Sequence, residues 1–524
     1  MTMSTRPHSL TLSRRSILQG AAAASGSLLL SGLQPARAAT PARGGQALIA
    51  FQSAGPADTL DPVRQTSDID VNRATQIYDT LTRLDPARRP QPLLAEAFEP
   101  GKPDATEWIF RLRKGATFHN GKTVDADDVA YSLKRHVGPD SPSAIKSAMA
   151  QIAEIRPEGE SGVRIILSAP NAEFPALLCD PRAAIVPAGQ VDFLKPIGSG
   201  PFKVEEFRPG ERARFVRFAD YWAADHIHLD AIETFSIPDP LSRLNALLAG
   251  EIHFAVGIDI KSLALLEKSP VAKPVLARSG QVVDIAMMID HAPFDNVDFR
   301  TALKLLQDRQ KVVDTVYKGY AQIGNDHEVA PNDPVYCADI PVRAYDPDKA
   351  RFHLQKAGLT NVELDLYTST GSGPGAVEQA LLLQQTARPA GVKLNIKQVP
   401  ADGYWKSTWM KHPLFSSQWN VRPNSDTLWS TLHHSGSSSN ETQFKSERLD
   451  NLLATARAEL DETKRRGHWC DLQRLVHEEG GNLVSAFPDY LHARATALIG
   501  EILSHPMGNR GGFLSGFDLW LGKA

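Results

Sequence analysis

Residue patterns that could support catalysis are few in this sequence. Residues 115–123, Gly-Ala-Thr-Phe-His-Asn-Gly-Lys-Thr, resemble a phosphate-binding loop. That motif has four residues between its glycines, whereas this segment has five, and its Asn120-Gly121 pair is typical of a hairpin turn. Gly-x-Ser-x-Gly and His-Glu-x-x-His, which mark common hydrolases, are both absent from the sequence. We therefore predict no catalytic residues.

Metal and cofactor motifs are equally weak. His226 and His228 form one pair and His433 and His434 another, but neither pair has the i, i+4 helical spacing or the carboxylate companion of zinc motifs. We interpret them as solvated or packing histidines and predict no metal site. The sequence has no dinucleotide glycine fingerprint, no haem Cys-x-x-Cys-His and no iron–sulfur spacing, so we also predict no cofactor.

Tryptophans are concentrated in one short segment. Of the eight in the chain, Trp405, Trp409, Trp419 and Trp429 lie within 25 residues of one another. An indole ring offers a large apolar face and one N–H donor, which suits the wall of a site that binds varied side chains. The alternative is that these tryptophans belong to a hydrophobic core.

The three cysteines, Cys179, Cys337 and Cys470, are far apart and odd in number. Their spacing is typical neither of a disulfide framework nor of a zinc site. We interpret them as buried small hydrophobic residues and leave open whether any two are paired.

Length and composition limit the class of protein. A chain of 524 residues exceeds one ordinary core and predicts two or three lobes. With 42% hydrophobic and 22% charged residues and a net charge of -3, the chain has the composition of a globular protein. Because no basic stripe is present, nucleic acid is not expected as a partner.

Residues 1–38 are predicted to be a signal peptide of the twin-arginine type. Arg14-Arg15 precede a short apolar stretch, and Ala36-Arg37-Ala38 is a small-x-small cleavage site. Serines and glycines interrupt the apolar stretch, which argues against a membrane anchor. No cysteine near the cleavage site could take a lipid, so we expect a mature protein free in the periplasm.

Several elements can be placed from the pattern of residues. Asp125 is an N-cap for a helix over residues 126–135, and residues 108–113 alternate as a strand. Residues 362–367 and 392–397 alternate on either side of a helical stretch, residues 376–388. This strand–helix–strand order predicts a parallel pair of strands.

A second helix is predicted upstream, where Asp346 is the cap, Pro347 the first helical residue and Gly358 the end. The region after about residue 277 is therefore an α/β lobe.

Four blocks in a fixed order resemble the peptide/nickel (oligopeptide and dipeptide) class of ABC-transporter substrate-binding proteins, the family 5 solute-binding proteins. The first is residues 110–121, Phe-Arg-Leu-Arg-Lys-Gly-Ala-Thr-Phe-His-Asn-Gly, with residues 125–129 behind it. The others are residues 196–203, 293–303 and 345–358. The resemblance extends over nearly all of the mature chain.

The resemblance implies an α/β fold of two lobes joined by a hinge, in which the lobes close over a solute. We expect lobe one over residues 39–276, with an inserted subdomain at about 83–195, lobe two over 277–487, and a C-terminal segment, 488–524, that returns to lobe one. The implied function is capture of a peptide or related amino-acid-derived solute and its delivery to an ABC permease in the inner membrane, by a protein that we expect to be a monomer and not an enzyme.

The same resemblance suggests residues that contact the solute. Trp419 and Trp405 are expected in the cleft wall. Relatives that bind peptides carry, about three residues after this tryptophan, an Asp that pairs with the α-ammonium, but here Arg422 stands at that point. A guanidinium binds carboxylates, so we predict a solute that presents a carboxylate to Arg422. Asp426 either holds Arg422 or binds an ammonium, and Asp290 is a second candidate for an amine.

Two other functions remain as alternatives. A nickel chelate is a second ligand class within the same family. A periplasmic oxidoreductase, folded around a cofactor before export, would also suit a twin-arginine signal.

Overall fold

The structure, a computed structural model, describes residues 41–500 and 516–522. The predicted signal peptide, residues 1–38, lies outside the described residues.

In these ranges the chain forms 21 strands. They are β1 Gln46–Phe51, β2 Thr82–Leu84, β3 Pro90–Pro92, β4 Ala95–Pro100, β5 Glu107–Leu112, β6 Ile152–Glu158, β7 Gly162–Leu167, β8 Phe202–Arg208, β9 Arg212–Arg217, β10 Ala231–Ser236, β11 Phe254–Ala255, β12 Ala272–Ala277, β13 Val282–Met287, β14 Ala321–Ile323, β15 Val362–Thr368, β16 Val392–Gln398, β17 Leu414–Trp419, β18 Asn482–Pro488, β19 Tyr490–Ala495, β20 Leu498–Gly500 and β21 Leu519–Leu521.

The same ranges contain 14 α-helices. They are α1 Asp68–Ile77, α2 Ala126–Lys134, α3 Lys146–Met149, α4 Phe174–Leu177, α5 Pro240–Leu248, α6 Leu263–Glu267, α7 Val297–Leu305, α8 Arg309–Lys311, α9 Pro347–Lys356, α10 Ala376–Ala387, α11 Tyr404–Ser407, α12 Ser425–Leu432, α13 Glu447–Ala458 and α14 Glu462–Glu479. A π-helical turn, Val312–Val316, follows α8.

Lobe one is built on a seven-stranded sheet in the order β12-β19-β11-β1-β10-β9-β8. Its centre is parallel, because β1 pairs in parallel with both β10 and β11, and its edges are antiparallel. Ile49, Phe215 and Phe254 are buried in the core beneath this sheet. The chain therefore completes lobe one only after it returns at β19.

A second sheet of lobe one has four antiparallel strands in the order β4-β5-β7-β6. It has its own core, in which Phe110 and Phe118 are fully buried against Leu133 of helix α2. This sheet, with α2 over it, is the additional part of lobe one.

Lobe two is built on a six-stranded mixed sheet in the order β14-β18-β13-β17-β15-β16. The predicted strand–helix–strand unit is confirmed, because β15 and β16 are parallel and α10 connects them. Ile285, Phe299 and Leu383 join the sheet to α7 and α10 in one core. The predicted α/β character is confirmed in both lobes.

Helix caps follow the sequence closely. Asp125 accepts a hydrogen bond from the backbone N–H of Asp128 and forms a capping box with it, so α2 begins where predicted. Asp346 caps α9, whose first residue is Pro347. Between β5 and α2, the backbone N–H of Phe118 donates to the carbonyl of Lys122, and Gly121 has φ +85°, which is the predicted turn.

The sequence leaves the pairing of the cysteines open, and the structure pairs two of the three. Cys337 and Cys470 form a disulfide with their Cα atoms 5.0 Å apart, and Cys179 is buried with a free thiol. The disulfide connects the loop before α9 to helix α14 across 133 residues, a separation at which sequence spacing carries no signal. None of the helices in the described ranges is long and apolar enough to cross a membrane.

We predict that replacing both paired cysteines, as Cys337→Ala with Cys470→Ala, lowers the free energy of unfolding by about 2–4 kcal/mol, because the cross-link restricts the unfolded chain. Urea unfolding with and without a reductant measures this. Reductant should destabilise the wild-type protein and the Cys179→Ala control equally, and should leave the double variant unchanged. Equal stability of the wild type and the double variant would contradict the prediction.

Candidate ligand-binding cleft

Two short segments connect the lobes and run side by side. The chain leaves lobe one after Ala277 and enters lobe two at Val282, and it returns between Pro488 and Tyr490. Ser279 Oγ donates to the carbonyl of Pro488 at 2.8 Å, which joins the outgoing segment to the returning one.

An ion pair reinforces this connection. Arg278 Nη1 lies 2.9 Å from Asp489 Oδ2. The two connecting segments therefore form one antiparallel hinge between the sheets.

A cavity of about 770 Å³ lies between the lobes beside this hinge. Such a volume is typical of sites for small molecules. Lobe one contributes Gln52, Asp68, residues 257–261 and residues 490–492. Lobe two contributes Gln281, residues 315–318, Tyr320, Pro374, Gly375, Glu378, Gln418 and Asn420. Pro488 and Asp489, where the chain returns between the lobes, complete the lining.

Side-chain amides form the most regular feature of the cavity. Gln281 Nε2 and Gln418 Nε2 both approach Asn420 Oδ1, at 3.4 and 3.5 Å, from lobe two. Gln52 faces the cavity from lobe one and is exposed. Amides donate and accept hydrogen bonds, so this lining matches the groups of a peptide backbone.

Charges of both signs surround the amides. Lys261 and Lys318, one from each lobe, are exposed, as are Asp259 and Glu378. Asp489 differs because its side chain is only 2% exposed. Burial raises the pKa of Asp489 to about 6, although Arg278 opposes the shift. The cavity therefore offers groups for a solute that carries both charges.

Trp419 lies at the end of β17, between the two residues that line the cavity, Gln418 and Asn420. Its ring is half-buried, and its Nε1 donates to Glu441 Oε1 at 2.9 Å. The ring of Trp409 packs edge-on against it with the centroids 6.1 Å apart. The N–H of Trp419 is thus used inside lobe two, and its ring packs against hydrophobic clusters of the same lobe.

Glu441 is the acceptor that fixes this part of lobe two. Besides Trp419, it accepts hydrogen bonds at Oε2 from Trp409 Nε1 at 2.8 Å and from Ser417 Oγ at 2.6 Å. Burial raises the pKa of Glu441, and these hydrogen bonds oppose the rise. Glu441 has no pattern in the sequence that marks it, because it lies in a turn that follows the serine-rich segment, residues 435–439.

The other predicted tryptophans divide between surface and core. Trp405 is 43% exposed and packs edge-on against Trp409, with the centroids 6.1 Å apart. Trp429 is fully buried in the core of lobe two. Trp405 does not line the cavity of about 770 Å³, and neither does Asp290, which is exposed and accepts a hydrogen bond from His291 at 2.7 Å.

Asp426 and Arg422 also lie outside the lining of this cavity. Asp426 is buried in α12 and pairs with Arg457, whose Nε lies 3.0 and 3.1 Å from its two oxygens. Arg457 is therefore an ion-pair partner of Asp426, and whether Asp426 also holds Arg422 or binds an ammonium stays a prediction. Arg422 is half-buried three residues after Trp419. Whether Trp419, Arg422 and the other predicted residues contact a solute stays a prediction.

The predicted packing or solvated histidines have protein partners. His433 is buried, and its Nε2 lies 2.7 Å from Glu328 Oε2. His226 is exposed and lies 2.9 Å from Asp518 Oδ1.

Arg88 joins the lobes directly. It lies in the turn between β2 and β3 with φ 62°, and its side chain is 4% exposed. The guanidinium forms an ion pair with Asp333 of lobe two, and its Nη2 donates to the carbonyl of Arg422 at 2.7 Å. Asp333 also accepts from Ser425 Oγ at 2.8 Å. This contact crosses from one lobe to the other at the segment that follows Trp419.

Sequence reasoning missed Arg88, Gln281 and Asp489. Arg88 lies in a polar turn and has no local pattern that marks it. Asp489 directly follows β18, and since acidic side chains are rarely buried, nothing in the sequence marks this one as buried.

The two-lobed fold and the cleft between the lobes are those of a solute-binding protein, and comparison with known proteins identifies the family. The chain belongs to the bacterial extracellular solute-binding proteins of family 5, whose middle region matches residues 89–440. Members of this family are substrate-binding proteins of ABC transporters, which are not enzymes.

The chain is 29% identical over 498 residues to di/tripeptide-binding protein 2 of Pseudomonas aeruginosa (strain UCBPP-PA14), with 86% of this chain and 91% of that protein covered. It is 28% identical over 349 residues to the glutathione-binding protein GsiB of Salmonella choleraesuis (strain SC-B67), with 66% and 68% covered.

Among solved structures, the ABC transporter-associated periplasmic binding protein DppA from Helicobacter pylori, in complex with peptide STSA, matches with a TM-score of 0.74. It is 24% identical, with 92% of this chain and 99% of that chain covered. The two-lobed periplasmic binding protein fold is therefore confirmed.

We predict that Arg88→Met shifts the ligand-free protein toward an open form, because it removes the ion pair with Asp333 and the hydrogen bond to Arg422. Loss of one partner of a buried pair costs about 3 kcal/mol or more, so the radius of gyration from solution scattering should increase. Arg89→Met, at the exposed neighbouring position, is the control and should leave the scattering curve unchanged. An unchanged curve for Arg88→Met would show that this contact does not hold the lobes together.

Proposed function

We propose that this protein captures a peptide, or a related amino-acid-derived compound that bears a carboxylate, and delivers it to an ABC permease of the inner membrane. The observation that carries the proposal is the cavity of about 770 Å³ between the lobes, with side-chain amides from both sides. Amides from two lobes can bind the N–H and C=O groups of one peptide only when the lobes are closed. The solute thereby stabilises the closed form.

The proposal includes a division of the chain into moving parts. Lobe one is residues 39–276 with the subdomain at about 83–195, lobe two is residues 277–487, and residues 488–524 return to lobe one. Both connections pass through the segment pair that Ser279 joins to Pro488. Rotation about this pair opens and closes the cleft, and the permease recognises the closed form.

The nature of the solute is supported by two relatives. Their names state that one binds di- and tripeptides and the other glutathione. These compounds carry peptide groups and charges of both signs, and the cavity lining includes Lys261, Lys318 and Asp489. The proposed location is the periplasm, reached through the twin-arginine signal of residues 1–38 and cleavage near Ala38. The protein acts as a monomer in this proposal.

We predict that free di- or tripeptides, or glutathione, raise the melting temperature of the mature protein. A ligand at 100 times its Kd adds about 2.7 kcal/mol of stability. The measurement is a thermal-shift screen that also contains opines and nickel–histidine, followed by solution scattering, in which a true ligand should reduce the radius of gyration. Stabilisation by nickel–histidine alone would favour the nickel-chelate alternative, and an absorption band of a flavin, haem or cluster in the pure protein would favour the oxidoreductase.

The prediction that Arg422 binds a carboxylate of the solute can be tested by replacing this arginine. If its guanidinium binds the solute carboxylate, Arg422→Ala should weaken binding of a free tripeptide by about tenfold or more, since hydrogen bonds to charged groups contribute about 1.5–3 kcal/mol. Binding of the C-terminally amidated tripeptide should change little. Isothermal titration calorimetry gives both affinities, with Lys406→Ala, an exposed charge of the same lobe, as the control. Equal affinities in the wild type and Arg422→Ala would remove Arg422 from the site.

A further inference from the structure

Asp489 combines three features that are found together at no other acidic residue described in the cavity lining. Its side chain is 2% exposed, it lies in the hinge, and its Oδ1 is buried without a hydrogen-bond partner among the described residues. Oδ2 is occupied by Arg278 at 2.9 Å. One carboxylate oxygen is therefore satisfied by the protein, and the other is not.

An unsatisfied buried carboxylate oxygen is costly, because it has lost its water and gained no donor. Arg278 compensates only partly, since its side chain is 59% exposed and it approaches the other oxygen. Burial accordingly raises the pKa of Asp489 to about 6. Oδ1 of Asp489 therefore lacks a hydrogen-bond donor among the described residues, and a positively charged donor would stabilise it most.

The lysines of the cavity do not supply this donor. No ion pair of Lys261 or Lys318 with Asp489 is formed in the described residues, and both lysines are exposed. Of the other acids of the lining, Asp259 and Glu378 are exposed, and Asp259 accepts a hydrogen bond from the backbone N–H of Lys261. Asp68, at the start of α1, is half-buried. Asp489 is thus the acid of the lining that gains most from a cation inside the cavity.

We propose that Asp489 binds a cationic amine of the solute, through a charge-assisted hydrogen bond from the ammonium group to Oδ1. This assignment rests on the proposed function, because it places the amine of a peptide-like solute in the cavity between the lobes. It also specifies the solute class further: one end carries an ammonium and is held at the hinge. The amine position is distinct from Arg422, where a carboxylate is expected.

The test compares Asp489→Asn with Arg278→Gln. Asn keeps the shape of Asp489 and removes its charge, whereas Arg278→Gln removes the exposed partner and keeps the carboxylate. Calorimetry is performed with trialanine and glutathione, with the N-acetylated form of each, and with cadaverine, an amine without peptide groups.

We expect Asp489→Asn to weaken binding of the free-amine peptides by about tenfold or more, and to leave the N-acetylated forms unchanged. Arg278→Gln should retain the affinity for the free amines, because Oδ1 is intact. This pattern separates an amine contact from a loosened hinge, since a loosened hinge would weaken every ligand in both variants.

Equal binding of the free-amine peptides by Asp489→Asn and the wild type overturns the assignment and leaves the proposed peptide ligand in place. The assignment is also overturned, and the proposed peptide ligand is left in place, if Asp489→Asn weakens binding of the free-amine and the N-acetylated forms by the same factor. If the wild type binds cadaverine but no peptide, and Asp489→Asn does not bind cadaverine, the proposed peptide ligand is contradicted and the assignment of Asp489 as the amine-binding residue is supported. If the wild type binds none of the free amines, the assignment of Asp489 is overturned.

Discussion

The two sheets of this molecule are connected through segments of only a few residues that lie side by side. Ser279 and Pro488 are hydrogen bonded across them, and Arg278 is ion-paired with Asp489. In the proposed division of the chain, rotation about these segments changes the orientation of the lobes and leaves the core of each lobe intact. The relative stability of open and closed forms is therefore decided by groups that face each other across the cleft. Asp489 belongs to both the hinge and the cavity, so a charge bound there acts where the orientation of the lobes is set.

Lobe two can serve as a rigid wall because its interior polar groups hold the end of β17 in place. Glu441 accepts hydrogen bonds from Trp409, Trp419 and Ser417, and a carboxylate with three donors has little freedom to move. Asn420, the next residue after Trp419, is thereby fixed where the cavity begins. A buried carboxylate is a costly way to position a strand end. In return, the ring of Trp419 keeps one orientation, and neighbouring amides do not need to reorganise when a solute binds.

Local features of the fold were predictable from the sequence, and contacts between distant segments were not. The cap Asp125 depends on residues within the first turn of α2, and the parallel pair β15–β16 follows from the alternation within each strand and from helix α10 between them. These patterns predicted both features correctly. The disulfide joins Cys337 to Cys470 across 133 residues, which no spacing rule covers. The candidate site shows the same difference between local features and contacts of distant segments. The sequence predicts Trp419 in the cleft wall, and this stays a prediction, since the cavity lining includes its neighbours Gln418 and Asn420 but not Trp419 itself. The buried state of Asp489 depends on how two separate connections come together.

The direct contact between Arg88 and lobe two lowers the differential binding free energy that a solute must supply to close the cleft. To move a population from 1% closed to 99% closed, a ligand must supply about 5.5 kcal/mol of differential binding. Part of the closed-state free energy already comes from the buried pair of Arg88 with Asp333, so the solute needs to supply less. The same pair sets an opposite limit, because an empty cleft that closed too firmly would exclude the solute. The proposed ammonium site acts in this opposite direction, because without a solute Oδ1 of Asp489 is buried and has no hydrogen-bond donor among the described residues. A solute that brings an ammonium removes that penalty, and closure then becomes selective for an occupied cleft.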